Sequence, residues 1–331
     1  MIFADHRFGG ESTAYYDLEV GRVLDEVRQR GAKVVVVQAP DGLKGELMGL
    51  YDALVGAGAS PVISADPCYG GCDLAVSESA FVGADLIVHI GHERFDQAKG
   101  GAPVLYVEAR HIPGLGGLGE KAAAYLSERG IRRVGLIASV QHKALLGDLG
   151  RVLEGRGVEV AVDRATGGLV LGCRVEAAKS LEGRVDAFLY LGGGDFHALG
   201  AAMAVEKEVF VADLYRNEVR DLRDLKRKTL AKRWWAIAEA VKARRFGVFM
   251  VAKSGQYQRA TAERIGQGLE SKGRAAYMLI ANEINWERLA PFGFVEAFIV
   301  TGCPRIAIDN QDGFRRPVLN EEDAGELLKR L

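Results

Sequence analysis

Short apolar runs alternate with amphipathic stretches along almost the whole chain. VVVVQAP (34–40) is a continuous β-branched run, the kind that lies buried in a parallel sheet. Ahead of it, Val20, Val23, Leu24 and Val27 recur at helical spacing behind Asp17, which the pattern predicts as an N-cap. After it, Leu47, Leu50, Tyr51 and Leu54 mark a second amphipathic helix. PVISAD (61–66), DLIVHIGH (85–92) and PVLYVEA (103–109) are strand-like, with helical material between them. The order then restarts. VGLIAS (134–139) precedes a helix near 143–155, VEVAVD (158–163), a helix near 175–181, AFLYLGGG (187–194) and VFVAD (209–213). A third restart begins with GVFMVAK (247–253) and a helix near 258–271, followed by AAYMLIAN (275–282) and AFIVTGCP (297–304). The last helix starts at Asn320, with Asp323 placed for a capping box.

Three successive α/β units follow from this pattern, with boundaries at 1–112, 113–216 and 217–331. Right-handed crossovers between parallel strands would make each a small doubly wound sheet. A connecting helix with Leu230, Trp234, Ile237 and Val241 on one stripe is placed between units. The repeat is one of pattern, not of letters.

Composition narrows the function. The 331 residues carry 43 Lys+Arg against 44 Asp+Glu, a net charge of -1, so the basic excess of a nucleic-acid binder is missing. Hydrophobic residues at 48% and charged residues at 26% exclude disordered and fibrous classes. No apolar run approaches the roughly eighteen residues of a membrane span, and MIFADHRFGG has no secretory pattern. A cytoplasmic protein, independent of membranes and nucleic acid, is expected. Glycine is in surplus at 42 residues, which points to tight strand-to-helix turns or loops close to a ligand.

Four cysteines carry the candidate chemistry. Cys68 and Cys72 lie in DPCYGGCD, Cys173 in TGGLVLGCR and Cys303 in TGCPR. Open α/β sheets bind ligands outside the carboxyl ends of their strands, and each unit places a cysteine there, beside glycine. Gly71, Gly172 and Gly302 would leave space for an inorganic group near the backbone. Three thiolates from three units can hold three irons of a [4Fe–4S] cluster, the fourth iron keeping an open position. Four inert core thiols are the plain alternative, and a zinc site is the next, weakened by the absence of two-pair local spacing. Cys68-x3-Cys72 starts like the cysteine loop of conventional radical enzymes, but Ala75 stands where the third ligand would be.

Other signals are weaker. GLGGLG (114–119) matches a dinucleotide fingerprint in letters but is separated from the preceding strand, so a nicotinamide site is not expected. LGGGDFHALG (191–200) leaves a strand and enters a helix, and its N–H groups suit either a carboxylate or phosphate or merely a tight turn. Polar groups gather at strand ends: Gln38, Asp41, His89, His92, Gln141, His142 and Gln256. The basic stretch RDLRDLKRKTLAKR (220–233) is either a docking face for an acidic partner or a solvated helix face.

Taken together, QAPDGL (38–43), YGGCD (69–73), VLGCR (170–174), GGGDFHALG (192–200) and TGCPR (301–305) resemble the archaeal diphthamide-biosynthesis enzymes. These are the 2-(3-amino-3-carboxypropyl)histidine synthases, non-conventional radical S-adenosylmethionine (SAM) enzymes. The resemblance runs in order from about residue 18 to the C-terminus. It implies three Rossmann-like domains in a pseudo-threefold triangular arrangement, a homodimer, and one cluster-ligating cysteine per domain: Cys72, Cys173 and Cys303. Because the family's ligand follows the glycine pair, Cys68 is extra to the pattern and a stand-in only where Cys72 is lost. The implied reaction is reductive cleavage of SAM at the open iron, giving 5'-methylthioadenosine and a 3-amino-3-carboxypropyl radical. That radical adds to C2 of a histidine imidazole in elongation factor 2, with an external electron donor required. No SAM contact transfers residue by residue. Strand-end placement alone nominates Asp41, Gln141, His142, Gly193, His197, Gln256 and Arg305. Two rival readings share the architecture: a quinolinate-synthase-like Lewis-acid condensation and dehydration enzyme, and a non-enzymatic metal-bearing binding module.

Overall fold

A computed structural model describes residues 15–95 and 101–331. Its first part runs β1 (Tyr16–Asp17), α1 (Val20–Arg30), β2 (Val34–Gln38), α2 (Met48–Gly56), β3 (Ser60–Ile63), α3 (Val76–Val82), β4 (Leu86–Ile90), β5 (Val104–Val107) and β6 (Arg110–His111). The second comprises α4 (Leu118–Glu128), β7 (Arg133–Ala138), α5 (Leu146–Glu154), β8 (Glu159–Ala161), α6 (Glu176–Leu181), β9 (Ala187–Leu191), α7 (Phe196–Ala204), β10 (Glu208–Asp213) and β11 (Glu218–Asp221). The third holds α8 (Arg223–Lys242), β12 (Arg245–Val251), α9 (Arg259–Ser271), β13 (Ala275–Ala281), α10 (Trp286–Leu289), β14 (Ala297–Val300), α11 (Arg305–Asp309), β15 (Val318–Leu319) and α12 (Glu321–Arg330).

The three sheets are wired alike: β3-β2-β4-β5, β8-β7-β9-β10 and β13-β12-β14-β15, each parallel throughout. In each, the first strand lies inside, the second outside it, and the third and fourth on its other flank. That is a doubly wound order with its switch point beside the first strand. β11 adds an antiparallel strand to the second sheet, and β1 pairs with β6 in a separate ribbon.

Continuous apolar strands produce this burial. Every position of β4 and β9 is buried, because helices cover both faces of their sheets. In the second unit, Leu126 and Leu153 pack on Leu136 and Leu189 from one side, while Ala178, Leu181 and Ala201 pack on Phe188 and Tyr190 from the other. The third unit is built the same way around Val248 and Ile299 on one face and Phe249 and Phe298 on the other.

Several expectations change. The boundary at 216/217 falls inside a hairpin, since Asp213 pairs with Glu218, so the second unit continues through Asp221. Asp17 does not cap α1 directly; its Oδ1 accepts the Glu19 N–H at 2.9 Å, and Glu19 enters the helix at φ 50°. On α8 the buried face is Thr229, Ala236, Ile237 and Ala240, while Trp234 is half exposed. The helix does lie between units, touching α7 of the second and α12 of the third. The basic groups of the 220–233 stretch are largely met within the chain, Arg220 of β11 by Asp195 and Asp213, Arg227 of α8 by Asp224, and Arg233 of α8 by Glu322 and Asp323. No helix among the described residues is long and apolar enough to cross a membrane.

Candidate metal centre

Each unit sends one cysteine-bearing loop to a common cavity of about 350 Å³, lined by Cys72, Cys173 and Cys303. Cys72 follows β3, Cys173 follows β8 and Cys303 follows β14. The first and third loops are stitched together by backbone: Gly255 N–H donates to the Cys72 carbonyl at 2.8 Å, and Leu74 N–H donates to Ser254 Oγ at 3.2 Å. A side chain at Gly255 would collide with the Cys72 backbone, so this approach requires glycine. Gly71, Gly172 and Gly302 also serve close packing rather than open space. A Cβ at those positions would meet the Glu93 carbonyl, the Phe196 ring and the Val251 side chain.

The thiols share one electrostatic environment. Burial raises Cys72, whose Sγ accepts a hydrogen bond from Gln256 Nε2 at 3.3 Å that works the other way. Burial also pushes Cys303 up to about 12, with the Cys173 and Cys72 charges adding to it. Cys173 is the exposed residue of the three, yet desolvation of its thiol by the surrounding protein still raises it, and Arg174 eases it. Like charges repel one another here, so three thiolates together need a cation between them. Three converging sulfurs, one already receiving an N–H, match the donor set of an iron–sulfur cluster with one iron left free.

Of the seven nominated residues, His197, Gln256 and Arg305 line the cavity, as does the strand-end His92. Arg305 is 3% exposed, gripped by Asp309 at 2.8 and 2.6 Å and stacked over Phe196, yet its Nη1 has no hydrogen-bond partner. His197 Nδ1 is likewise buried without one. The remaining four do not line it. Asp41 is exposed and pairs with Lys44 at 2.7 Å. Gln141 Nε2 donates to the Gly91 carbonyl at 2.6 Å, clasping the second unit to the first. His142 is buried between Ser139 Oγ (2.8 Å) and Tyr215 OH (3.0 Å), and Tyr215 meets Tyr16 OH at 2.6 Å. Gly193 packs under the Tyr215 ring. The surroundings of His142 and Gly193 are therefore filled by Tyr215 and by Tyr16 and His111 of the β1–β6 ribbon.

Strand-end reasoning missed a charged group on the opposite wall. Lys253 Nζ lies 3.0 Å from Asp73 and 2.9 Å from Glu283, and Tyr69 OH donates to Glu283 at 3.1 Å. Burial alone would lower Lys253, but the two carboxylates outweigh it and keep it charged. Asp73 follows Cys72 directly, which is the signal that could have drawn attention to it. Its lysine partner lies 180 positions away.

The profile of the diphthamide synthesis protein family matches residues 39–330. The chain is 32% identical over 319 residues to the 2-(3-amino-3-carboxypropyl)histidine synthase of Pyrococcus horikoshii, covering 95% of this chain and 91% of that protein. The synthase of the same name from Methanocaldococcus jannaschii is 26% identical, with 96% and 91% covered. The crystal structure of Dph2 from Pyrococcus horikoshii with a 4Fe-4S cluster superposes with a TM-score of 0.85 at 31% identity, over 95% of this chain and 91% of that one. Sequence profile, fold and near-complete coverage agree, and the chain belongs to the diphthamide synthesis protein family.

Proposed function

We propose that the protein is a transferase that moves the 3-amino-3-carboxypropyl group of SAM, as a radical, to C2 of a histidine imidazole in elongation factor 2. This is the first step of diphthamide biosynthesis, and it releases 5'-methylthioadenosine. The observation that carries the reading is the convergence of Cys72, Cys173 and Cys303, one from each unit, on a single cavity. Relatives covering more than nine-tenths of the chain are named as synthases of this histidine modification, which favours an enzyme over a binding module. The same names favour group transfer over condensation and dehydration.

In this reading the three cysteines hold a [4Fe–4S] cluster. When bound, it would supply the single electron that breaks a carbon–sulfur bond of the sulfonium. The chain's own residues then bind and orient. Arg305, pre-set by Asp309, offers its unpartnered Nη1 N–H to a carboxylate, and the amino-acid end of SAM carries one. Gln256 fixes Cys72 through its N–H···S contact, and hydrogen bonds to ligating sulfurs tune such clusters. Phe95, Phe196 and Ile284 give the wall its apolar part, which keeps water away from a reactive carbon radical. A homodimer, an external electron donor and a cytoplasmic setting complete the proposal.

The test supplies elongation factor 2, SAM and dithionite to anaerobically reconstituted protein and maps the modified peptide by mass spectrometry. The expected product carries one 3-amino-3-carboxypropyl group on one histidine carbon. An unmodified factor beside consumed SAM would contradict the substrate assignment.

A further inference from the structure

Beside the cysteine cavity lies a second set of soft donors that the proposed reaction does not use. Cys68, His89 and His92 bring one sulfur and two ring nitrogens within 4.8 Å of one another. Cys68 and His89 are buried, at 5% and 0% exposure. The chain turns back after β4 at Gly91, where φ is 84°, and this folds His92 over His89. His89 Nε2 stands 3.0 Å from His92 Nδ1, and Cys68 Sγ is 3.9 Å from the same Nδ1.

The tautomer of His89 is fixed from behind. Gln38 Oε1 accepts the Ala75 N–H at 2.9 Å, and Gln38 Nε2 donates to the Asp73 carbonyl at 2.9 Å, so its amide has one allowed orientation. His89 Nδ1, 2.9 Å from that Oε1, therefore carries the proton. The lone pair of Nε2 is left pointing at the other two donors. An imidazole that donates through one nitrogen to a held carbonyl and offers the other is the usual form of a metal-bound histidine.

We propose that Cys68, His89 and His92 form a separate site for one divalent ion of the zinc or ferrous class, with its fourth position taken by water. Tetrahedral bonds of ordinary zinc length would set the two nitrogens about 3.3 Å apart and sulfur and nitrogen about 3.6 Å apart. The observed 3.0 and 3.9 Å lie within a few tenths of an ångström of these values, and the remaining sulfur–nitrogen pair lies within 4.8 Å. On binding, Cys68 gives up its thiol proton to solvent and His92 carries its proton on Nε2 instead of Nδ1. The ion would pin the 68–73 loop to the end of β4. That loop presents Cys72 to the cavity, which gives the site its structural purpose.

His92 also lines the cysteine cavity, but none of the three ligands is among the cavity cysteines, so the inference does not rest on the proposed function. The experiment titrates Co²⁺ anaerobically into the full chain carrying Cys72→Ala, Cys173→Ala and Cys303→Ala together, with folding checked by circular dichroism. One equivalent should bind, giving a thiolate-to-cobalt absorption band and intense tetrahedral visible bands. Adding Cys68→Ser should remove the thiolate band, and adding His89→Gln should weaken binding tenfold or more. A folded triple variant with no thiolate band, or a band that survives Cys68→Ser, overturns the proposal. If the triple variant does not fold, zinc is counted on the parent chain by mass spectrometry. Cys68→Ser should then lower the count by one equivalent, and an unchanged count overturns the site.

Discussion

Cys173 is the exposed member of the three cavity cysteines, so it can be replaced at little cost to the fold. Cys173→Ala should therefore abolish iron and sulfide incorporation while leaving the circular dichroism spectrum and melting temperature unchanged. Full iron content in that variant would remove it from the ligand set. The buried histidines make a different prediction. Burial holds His89 and His142 down to about 4 and His197 to about 4, against an ordinary value near 6.5. Below pH 6.5 the unfolded chain takes up protons that the folded chain refuses, so stability falls with pH through the window from 6.5 to about 4. The loss should be on the order of 1 kcal/mol or more per histidine, read from denaturant midpoints across that window. A flat profile would show that these rings are not held neutral. At this scale the cysteines were legible because each sits at a strand end beside glycine. Asp41, Gln141, His142 and Gly193 obey the same rule and still miss the cavity. What excludes the last two is Tyr215, held by Tyr16 from the first unit, a contact 199 positions apart that leaves no local mark.

Elements were read more securely than sites. Strands that are buried on both faces announce themselves as unbroken apolar runs: β2, β4 and β9 fall inside the predicted segments, while β7 and β12 overlap theirs but begin earlier, at Arg133 and Arg245. The last helix shows how far local chemistry reaches. Asn320 Oδ1 accepts the Asp323 N–H at 2.8 Å, and the Asp323 carboxylate accepts the Asn320 N–H at 3.3 Å, the reciprocal box expected from the letters. Arg233 of α8 also grips that carboxylate, at 3.0 and 2.7 Å, so the cap joins two helices. Asn320→Ala should lower stability by about 1–2 kcal/mol in urea unfolding. A loss within error would show that the cap is redundant. Of the stripe expected on α8, Ile237 is buried and Val241 packs against the core, while Trp234 departs from it for a physical reason. Trp234 satisfies helical spacing, but small residues Ala236 and Ala240 are what allow α8 to approach its neighbours closely.

At the scale of the molecule, two sheet edges are unusually apolar. β13 is a seven-residue edge strand with Tyr277, Met278 and Ile280 exposed, and β3 exposes Val62 and Ile63 at the edge of the first sheet. Long apolar edges invite pairing with another chain, and the proposed homodimer would cover them. Ile280→Lys, which places a charge on the β13 edge, should shift light-scattering mass from dimer toward monomer without changing the fold. A parent chain that is monomeric at working concentration would contradict the dimer, and a variant that stays dimeric would contradict this edge as its interface. The threefold repetition of an α/β unit was visible in the sequence because each unit restarts with a buried strand, whereas the strand order the three sheets share was not. The cavity at their meeting was not, since it depends on contacts such as that between Cys72 and Gly255.

Whether the three cysteines support an unusual cleavage of SAM can be read from one anaerobic assay. Protein reconstituted with iron and sulfide is given dithionite and SAM, beside a Cys173→Ala control, and the nucleoside products are quantified by mass spectrometry. Cleavage at a cluster held by these cysteines gives 5'-methylthioadenosine that requires Cys173, with no 5'-deoxyadenosine. Iron-loaded protein that leaves SAM intact, or that yields 5'-deoxyadenosine, would contradict it.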